Sequence, residues 1–181
     1  HLNEARSNWR PFLFEKLSPS LWQTTTTTAT YSLSIPDVVS TINTVMWDSL
    51  AQSLGHSNIS FVSGSTPLVF DPMSILVNGF GSCTGLSILF TSALRSVGVP
   101  ARVAGTPAWN NVRRRGNHNW VEVWYNDTWY FLEPTPNVDE ADNMLRPPCS
   151  RWFCHPRRWE NGTKAYAARY EPTENYFPMA W

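Results

Sequence analysis

A helix that begins at a cysteine limits the folds open to this chain more than any other feature of its sequence. Apolar side chains recur every three or four residues between Thr84 and Val97, which is the spacing of one helical face. Gly98 supplies a stop signal, and Pro100 prevents the helix from continuing. Cys83 directly precedes this run. The sequence therefore predicts a buried helix with Cys83 at its N-terminus.

The second half of the chain carries signals for an antiparallel sheet. Sequences typical of strands occupy residues 101–104, 118–125 and 128–133. Asn126 and Asp127 separate the last two runs and predict a tight hairpin turn. In such a hairpin His118 and Glu133 lie near each other at the open end. Helices followed by an antiparallel sheet predict an α+β fold.

The remaining segments give weaker signals. Residues 35–54 show helical periodicity up to Gly55, so they predict an amphipathic helix. Residues 56–79 are rich in Ser, Gly, Pro and Asn and predict an irregular loop. The opening residues 2–17 allow a short helix, broken or started at Pro11, and residues 24–28 are a threonine run that predicts a surface connector.

Length and charge bound the class of protein. A chain of 181 residues, 42% of them apolar, fits one compact domain over residues 1–181. Its 14 basic residues balance its 14 acidic ones, so bulk charge attracts neither nucleic acid nor an anionic membrane. No stretch approaches the roughly 20 apolar residues of a membrane span. The chain opens at His1 without a signal-peptide pattern, which predicts a mature or excised form.

Glycosylation triplets and cysteines predict a secreted protein or one of the secretory lumen. N-x-S/T triplets begin at three asparagines: Asn58, Asn126 and Asn161. In an oxidising compartment the simplest arrangement pairs Cys149 with Cys154 and leaves Cys83 free. Cys149, Cys154 and His155 are an alternative start to a zinc site, but no second ligand pair is visible. Copper at His1 is a weaker alternative, so no metal is predicted.

Cys83, His118 and Glu133 are the residues that best fit nucleophilic chemistry. A helix N-terminus stabilises a thiolate, His118 can act as its base, and Glu133 can orient the imidazole. Gly81 and Ser82 precede the cysteine, where backbone N–H groups can bind a substrate oxyanion. Taken singly, each residue also has an ordinary structural explanation: a packed core thiol, a strand-edge histidine or a solvated strand end.

Three sequence blocks in order resemble the transglutaminase-like superfamily. They are residues 81–87 around Cys83, residues 93–105, and the two runs 117–124 and 129–134 that contain His118 and Glu133. Residues 3–12 also resemble the lead-in of a microbial-type branch. The resemblance implies a papain-like fold with a 1–34 lead-in, a 35–140 catalytic core and a Pro- and aromatic-rich C-terminal wrap over 141–181. It also implies a Cys/His/acid triad that works through a thioester.

This sequence departs from the family pattern at the third triad position. Most relatives have Asp before the proline, whereas this chain has Glu133 before Pro134, with Asp139 as a fallback. Trp120, two residues after His118, either contacts substrate and shields the ion pair or fills the core.

The expected function is acyl transfer from a glutamine carboxamide to an amine or to water. The substrate that carries the glutamine is expected to be a protein or peptide, and a small amine is a further expected acceptor. The alternatives are a cysteine peptidase or amidase of the same fold and a silent module that binds peptide or glycan. No cofactor is expected, and no dense acidic calcium loop is visible, which leaves calcium dependence open. Residues 113–115, three successive arginines, predict a solvated loop or a contact for an acidic substrate.

Overall fold

The computed structural model describes residues 7–22, 33–64, 71–134 and 155–168. The helices are α1 (Trp9–Trp22), α2 (Ile35–Val45), α3 (Ala51–Ser53), α4 (Pro72–Asn78), α5 (Cys83–Ser96) and α6 (Pro156–Trp159). The strands are β1 (Ser60–Phe61), β2 (Phe80–Gly81), β3 (Ala101–Thr106), β4 (His118–Tyr125), β5 (Thr128–Leu132) and β6 (Tyr166–Ala167). A π-helical turn, Met46–Leu50, joins α2 to α3, and two 3₁₀ turns, Trp109–Asn111 and Arg113–Arg115, lie between β3 and β4.

The four-stranded sheet places the two halves of the predicted hairpin side by side. Its order is β5-β4-β3-β6, and each pair of neighbouring strands within it is antiparallel. Asn126 and Asp127 form the hairpin turn with φ values of 50° and 59°. Two successive left-handed residues are what a two-residue turn of the type I′ class requires. The predicted hairpin and the α+β class are confirmed.

Helix α5 lies against one face of the sheet and forms the centre of the main core. Its side chains Leu86, Leu89 and Phe90 are fully buried, together with Val121 and Val123 of β4. Helices α1, α2 and α4 add buried apolar side chains to the same core, among them Leu13, Ile42 and Ile75. Burial of such side chains contributes roughly 1.5–3 kcal/mol each. The core therefore fixes α5, and with it Cys83, relative to the sheet.

The helical predictions hold in outline. Helix α2 begins with a capping box in which Ser34 and Asp37 satisfy each other's backbone N–H groups, and the helical run ends before Gly55, whose φ is 88°. Helix α1 includes Pro11 in its first turn, where no intrahelical N–H partner is needed. It extends beyond Leu17 through Pro19. The threonine run 24–28 lies outside the described residues.

The prediction of an irregular loop over residues 56–79 is wrong in part. Strand β1 lies within it and pairs in parallel with β2, and α4 occupies Pro72–Asn78. Asp71 caps α4 by accepting a hydrogen bond from the Ser74 N–H, and Gly79 ends it with φ 73°. A seven-residue helix has too few turns to show clear periodicity, so only the Asp-Pro start and the glycine stop signal it.

Candidate active site

The N-terminus of α5 presents Cys83 at a partly exposed position. Ser82 is the N-cap, and its Oγ accepts a hydrogen bond from the Gly85 N–H while its carbonyl accepts one from the Leu86 N–H. The predicted position of Cys83 at a helix N-terminus is therefore confirmed. Backbone N–H groups in the first turn of a helix have no intrahelical acceptor, and they favour negative charge.

Gly81, just before the cap, is fixed by the small sheet. Its carbonyl accepts from the Val62 N–H, and a Cβ at this position would come within 3.2 Å of Leu86 Cδ2. Gly81 therefore brings the backbone close to α5, and the Ser82 hydroxyl is used for capping. Their predicted contacts with substrate remain predictions.

His118 and Glu133 meet at the open end of the hairpin. Val121 pairs with Leu132, so Glu133 lies diagonally across the sheet from His118 on the same face. The distance between His118 Nε2 and Glu133 Oε1 is 2.8 Å, and the two residues are only 5% and 8% exposed. The other side of the imidazole is hydrogen-bonded to Cys83. The structure thus brings Cys83, His118 and Glu133 together in the order of a catalytic triad.

The electrostatics of the three groups favour an ion pair. Burial raises the pKa of Cys83, but the hydrogen bond and charge of His118 and a backbone hydrogen bond from Asn119 outweigh it and hold that pKa below its ordinary value. Burial lowers the pKa of His118, but hydrogen bonds and charges at Cys83 and Glu133 outweigh it and raise that pKa to about 9. The ordinary pKa of histidine is about 6.5. The imidazolium therefore contributes its full stability below about pH 6.5, and this contribution is lost as pH rises through 9.

Asn119 and Thr84 also belong to this site, although no sequence motif points to them. Thr84 Oγ1 donates to Asn119 Oδ1 at 2.7 Å, which links the first turn of α5 to β4. Asn119 Nδ2 reaches the Ala104 carbonyl at 3.4 Å, and Asn119 itself is 1% exposed. Asn119 thus joins the helix that carries Cys83 to the strand that carries His118. The available signal was a polar residue at a position of β4 that faces the core.

Gly105 makes room for Asn119. A Cβ at this position would lie 2.4 Å from Asn119 Nδ2 and 2.6 Å from the His118 carbonyl oxygen. We expect Gly105→Ala to displace Asn119 and to lower the free energy of unfolding by roughly 1–3 kcal/mol, as overpacking usually does. Urea unfolding measures this change.

Gly64→Ala is the matched control, because a Cβ at Gly64 has no atom within 4 Å and φ at that residue is not in the left-handed region. Equal stability of the two variants would contradict the assigned role of Gly105.

Two of three clustered tryptophans lie against the imidazole. Trp109 stacks on His118 with ring centroids 6.4 Å apart, and Trp120 lies 6.2 Å from the same ring. Trp159 of α6 packs edge-on against both tryptophans. Trp120 is 1% exposed, which favours shielding and core packing over direct contact with substrate. Its predicted substrate contact remains a prediction.

Residues 155–168, here called the strap, are joined to the site by Asn110. This residue adopts a left-handed φ of 53°, and its Nδ2 donates to the carbonyls of Arg157 and Glu160. Its N–H donates to Thr163 Oγ1 at 2.6 Å. The strap then pairs β6 with β3. Because the strap supplies Trp159, it contributes to the tryptophan cluster beside His118.

The predicted glycosylation sites that the structure describes lie apart from Cys83, His118 and Glu133. Asn126 and Asn161 are exposed in turns, and Asn58 is half-buried with Ser60 Oγ donating to its Oδ1. Glycosylation at all three remains a prediction. The residues His1, Asp139, Cys149 and Cys154 lie outside the described residues, so the disulfide and the fallback acid remain predictions.

The part of the chain that the structure describes contains no group of three or more His, Cys, Asp or Glu side chains placed to hold a metal ion. His155, the third residue of the alternative zinc site, caps α6 through its Nδ1. No described helix has the length and apolar character needed to cross a membrane.

The region that contains the three triad residues is similar to one known family. Residues 47–134 match the model of the Transglutaminase-like superfamily, and this range contains Cys83, His118 and Glu133. No curated protein sequence matches the chain.

Two solved structures are similar at low identity. A provisionally assigned cysteine protease from Cytophaga hutchinsonii is 13% identical, with a TM-score of 0.43 over 94% of this chain and 54% of that one. A protein described as a TGase is 16% identical, with a TM-score of 0.46 over 83% of this chain and 38% of that one. This chain thus spans about half or less of the length of either. Residues 47–134, just under half of the chain, are thus similar to the transglutaminase-like superfamily, and the α+β papain-like core supports that assignment.

Proposed function

We propose that this protein is a cysteine-dependent acyltransferase that acts on the carboxamide of a glutamine side chain through a thioester. One observation carries the proposal: His118 is hydrogen-bonded to Cys83 on one side and lies 2.8 Å from Glu133 on the other. The match of residues 47–134 to the Transglutaminase-like superfamily supports a cysteine-dependent enzyme. A protein or peptide is the proposed acyl donor.

The first half-reaction follows from this arrangement. The Cys83 thiolate attacks the carboxamide carbon, a C–S bond forms, and the carbonyl oxygen becomes an oxyanion near the first backbone N–H groups of α5. The His118 imidazolium donates its proton to the amide nitrogen, since its Nε2 faces Glu133 and leaves Nδ1 for the thiol side. The C–N bond then breaks, ammonia leaves, and the acyl group stays on sulfur as a thioester.

The second half-reaction regenerates the thiolate. A primary amine attacks the thioester carbon and gives its proton to His118, which holds it as the imidazolium beside Glu133. The C–S bond breaks, and the acyl group leaves on the acceptor nitrogen as a new amide. Water in place of the amine gives deamidation, and a peptide amide in place of the side-chain amide gives peptide hydrolysis. The triad serves all of these reactions, so the acceptor and donor depend on surfaces outside it.

A silent binding module is the competing function, and the titration of Cys83 separates the two. We expect iodoacetamide to modify Cys83 well below pH 8, because His118 holds the pKa of this thiol below the ordinary 9.0. The labelling rate should rise with pH through the lowered pKa and then level off. His118→Ala removes the stabilising charge, so its labelling should slow several-fold at pH 6. Intact mass over pH 5–8, with peptide mapping to locate the adduct, measures both effects.

The control is Cys83→Ser, which should lose the fast-labelling site altogether. Labelling of Cys83 at the same rate in native protein and in His118→Ala, or only after unfolding, would overturn the enzyme proposal in favour of the binding module.

A further inference from the structure

The structure brings two basic segments together beside the catalytic histidine. One is the 3₁₀ turn Arg113–Arg115, which ends three residues before His118, and the other is α6 with Arg157 and Arg158. These segments are more than 40 positions apart in sequence. We call the five arginines the arginine rim: Arg113, Arg114, Arg115, Arg157 and Arg158.

Asn110 connects the two halves of the rim directly. Its Oδ1 accepts a hydrogen bond from Arg115 Nη1 at 2.9 Å, and its Nδ2 donates to the Arg157 carbonyl at 3.3 Å. The Arg158 guanidinium lies 5.4 Å from the centre of the Trp109 ring, which in turn stacks on His118. These contacts hold the Arg115 side chain and the Arg157 backbone, and the Arg158 guanidinium lies one aromatic ring away from the imidazole.

Charge is concentrated at this place although the whole chain is balanced. Residues 109–117 and 155–168 contain the five rim arginines and Lys164 against a single acidic residue, Glu160. Since the chain carries 14 basic and 14 acidic residues, the rest of it is acidic in excess. Arg113, Arg114 and Arg157 are exposed. A cluster of one sign raises the local concentration of oppositely charged partners.

We propose that the arginine rim binds an acidic stretch of polypeptide next to the reacting residue, and so selects acidic protein substrates. This deepens the proposed function and depends on it, because a substrate must lie across Cys83 for the rim to affect its selection. Planar guanidinium groups match the carboxylates of Asp and Glu in bidentate geometry. In the proposed reaction the thiol attacks a glutamine in a polypeptide. The ligand of the rim is therefore expected to be an acidic part of that polypeptide and not a sulfated glycan.

Binding without turnover tests the proposal. The Cys83→Ala protein is titrated with a fluorescent peptide rich in Glu and lacking Gln, and with the same peptide carrying Ser in place of Glu. We expect tighter binding of the acidic peptide at 25 mM salt and a loss of this preference at high salt, because exposed charges are screened. The double substitution Arg113→Gln/Arg114→Gln is then made in the Cys83→Ala protein. It should weaken binding of the acidic peptide by roughly three- to tenfold and leave the affinity for the neutral peptide unchanged.

The matched control is Arg10→Gln/Lys16→Gln, which removes the same charge from exposed positions on α1. Equal weakening by both double variants would overturn the proposal, since it would show an effect of net charge alone. Binding of a sulfated oligosaccharide in place of the acidic peptide would also overturn it. In the active protein, Arg113→Gln/Arg114→Gln should raise KM for an acidic glutamine peptide and leave kcat unchanged.

The two proposals fail separately in these experiments. If the protein shows no preference for the acidic peptide while Cys83 is labelled as expected, only the role of the rim in substrate selection is excluded. Selective binding of the acidic peptide together with an inert Cys83 removes the acyltransferase and leaves a module that binds acidic peptides.

Discussion

Cys83→Ala is expected to reduce ammonia release from a glutamine-containing polypeptide to the uncatalysed background, a loss of at least about 10⁴-fold in kcat. The reason is that every bond change in the proposed reaction passes through the thiolate. Cys83→Ser places a hydroxyl where the thiol was, but the pKa of a hydroxyl lies far above that of a thiol. The loss in kcat for Cys83→Ser should therefore be nearly as large. Ammonia release and incorporation of a fluorescent primary amine measure the two halves of the reaction.

Folding of the Cys83 variants is the necessary control. The core around α5 involves Leu86, Leu89 and Phe90 and not the cysteine side chain, so the thermal midpoint should change by no more than a few degrees. Residual turnover of a tenth or more in a folded Cys83→Ala protein would show that the nucleophile is a different group.

Replacement of Glu133 should have the second-largest effect. Glu133→Leu leaves the buried imidazolium without its carboxylate, so the pKa of His118 should fall from about 9 and the pair with Cys83 should weaken. We expect a loss in kcat of roughly 10²- to 10³-fold and a shift of the alkaline limb of the pH–rate profile to lower pH. Glu133→Gln keeps an oxygen acceptor for the imidazole N–H and should lose less, about tenfold.

Glu133→Asp is the informative matched variant. It introduces the acid expected from the family resemblance, but its shorter arm cannot keep the 2.8 Å contact to His118 Nε2 on this backbone. We therefore expect it to be less active than the native protein, by roughly tenfold. An alkaline limb that does not move in Glu133→Leu would exclude Glu133 as the partner of His118.

The parts of the site predicted from sequence depend on short-range signals. The helix starting at Cys83 follows from its apolar periodicity and its glycine stop, and the meeting of His118 with Glu133 follows from a two-residue turn that fixes the register of the hairpin. Both depend on residues close together in the chain. The departure from the usual acid was also visible, since Glu133 directly precedes Pro134.

The parts that sequence could not predict depend on contacts between distant segments. Asn119 meets Thr84 across 35 positions, and Asn110 meets Thr163 across 53. Neither contact leaves a periodic pattern, because each uses one polar side chain at a place set by the packing of the core. The prediction for Trp120 shows the same limit: its position near His118 could be predicted, but the cluster that it forms with Trp109 and Trp159 could not.

Asn110 and the strap also bear on where the functional unit ends. The family match stops at residue 134, yet one of the three tryptophans clustered beside His118 lies at position 159, and β6 completes the sheet at Tyr166–Ala167. A fragment cut to the matched range would keep all three triad residues but lose Trp159, which packs against both tryptophans beside His118, together with helices α1 and α2. The packing beside His118 thus continues into residues 155–168, beyond the end of the family match.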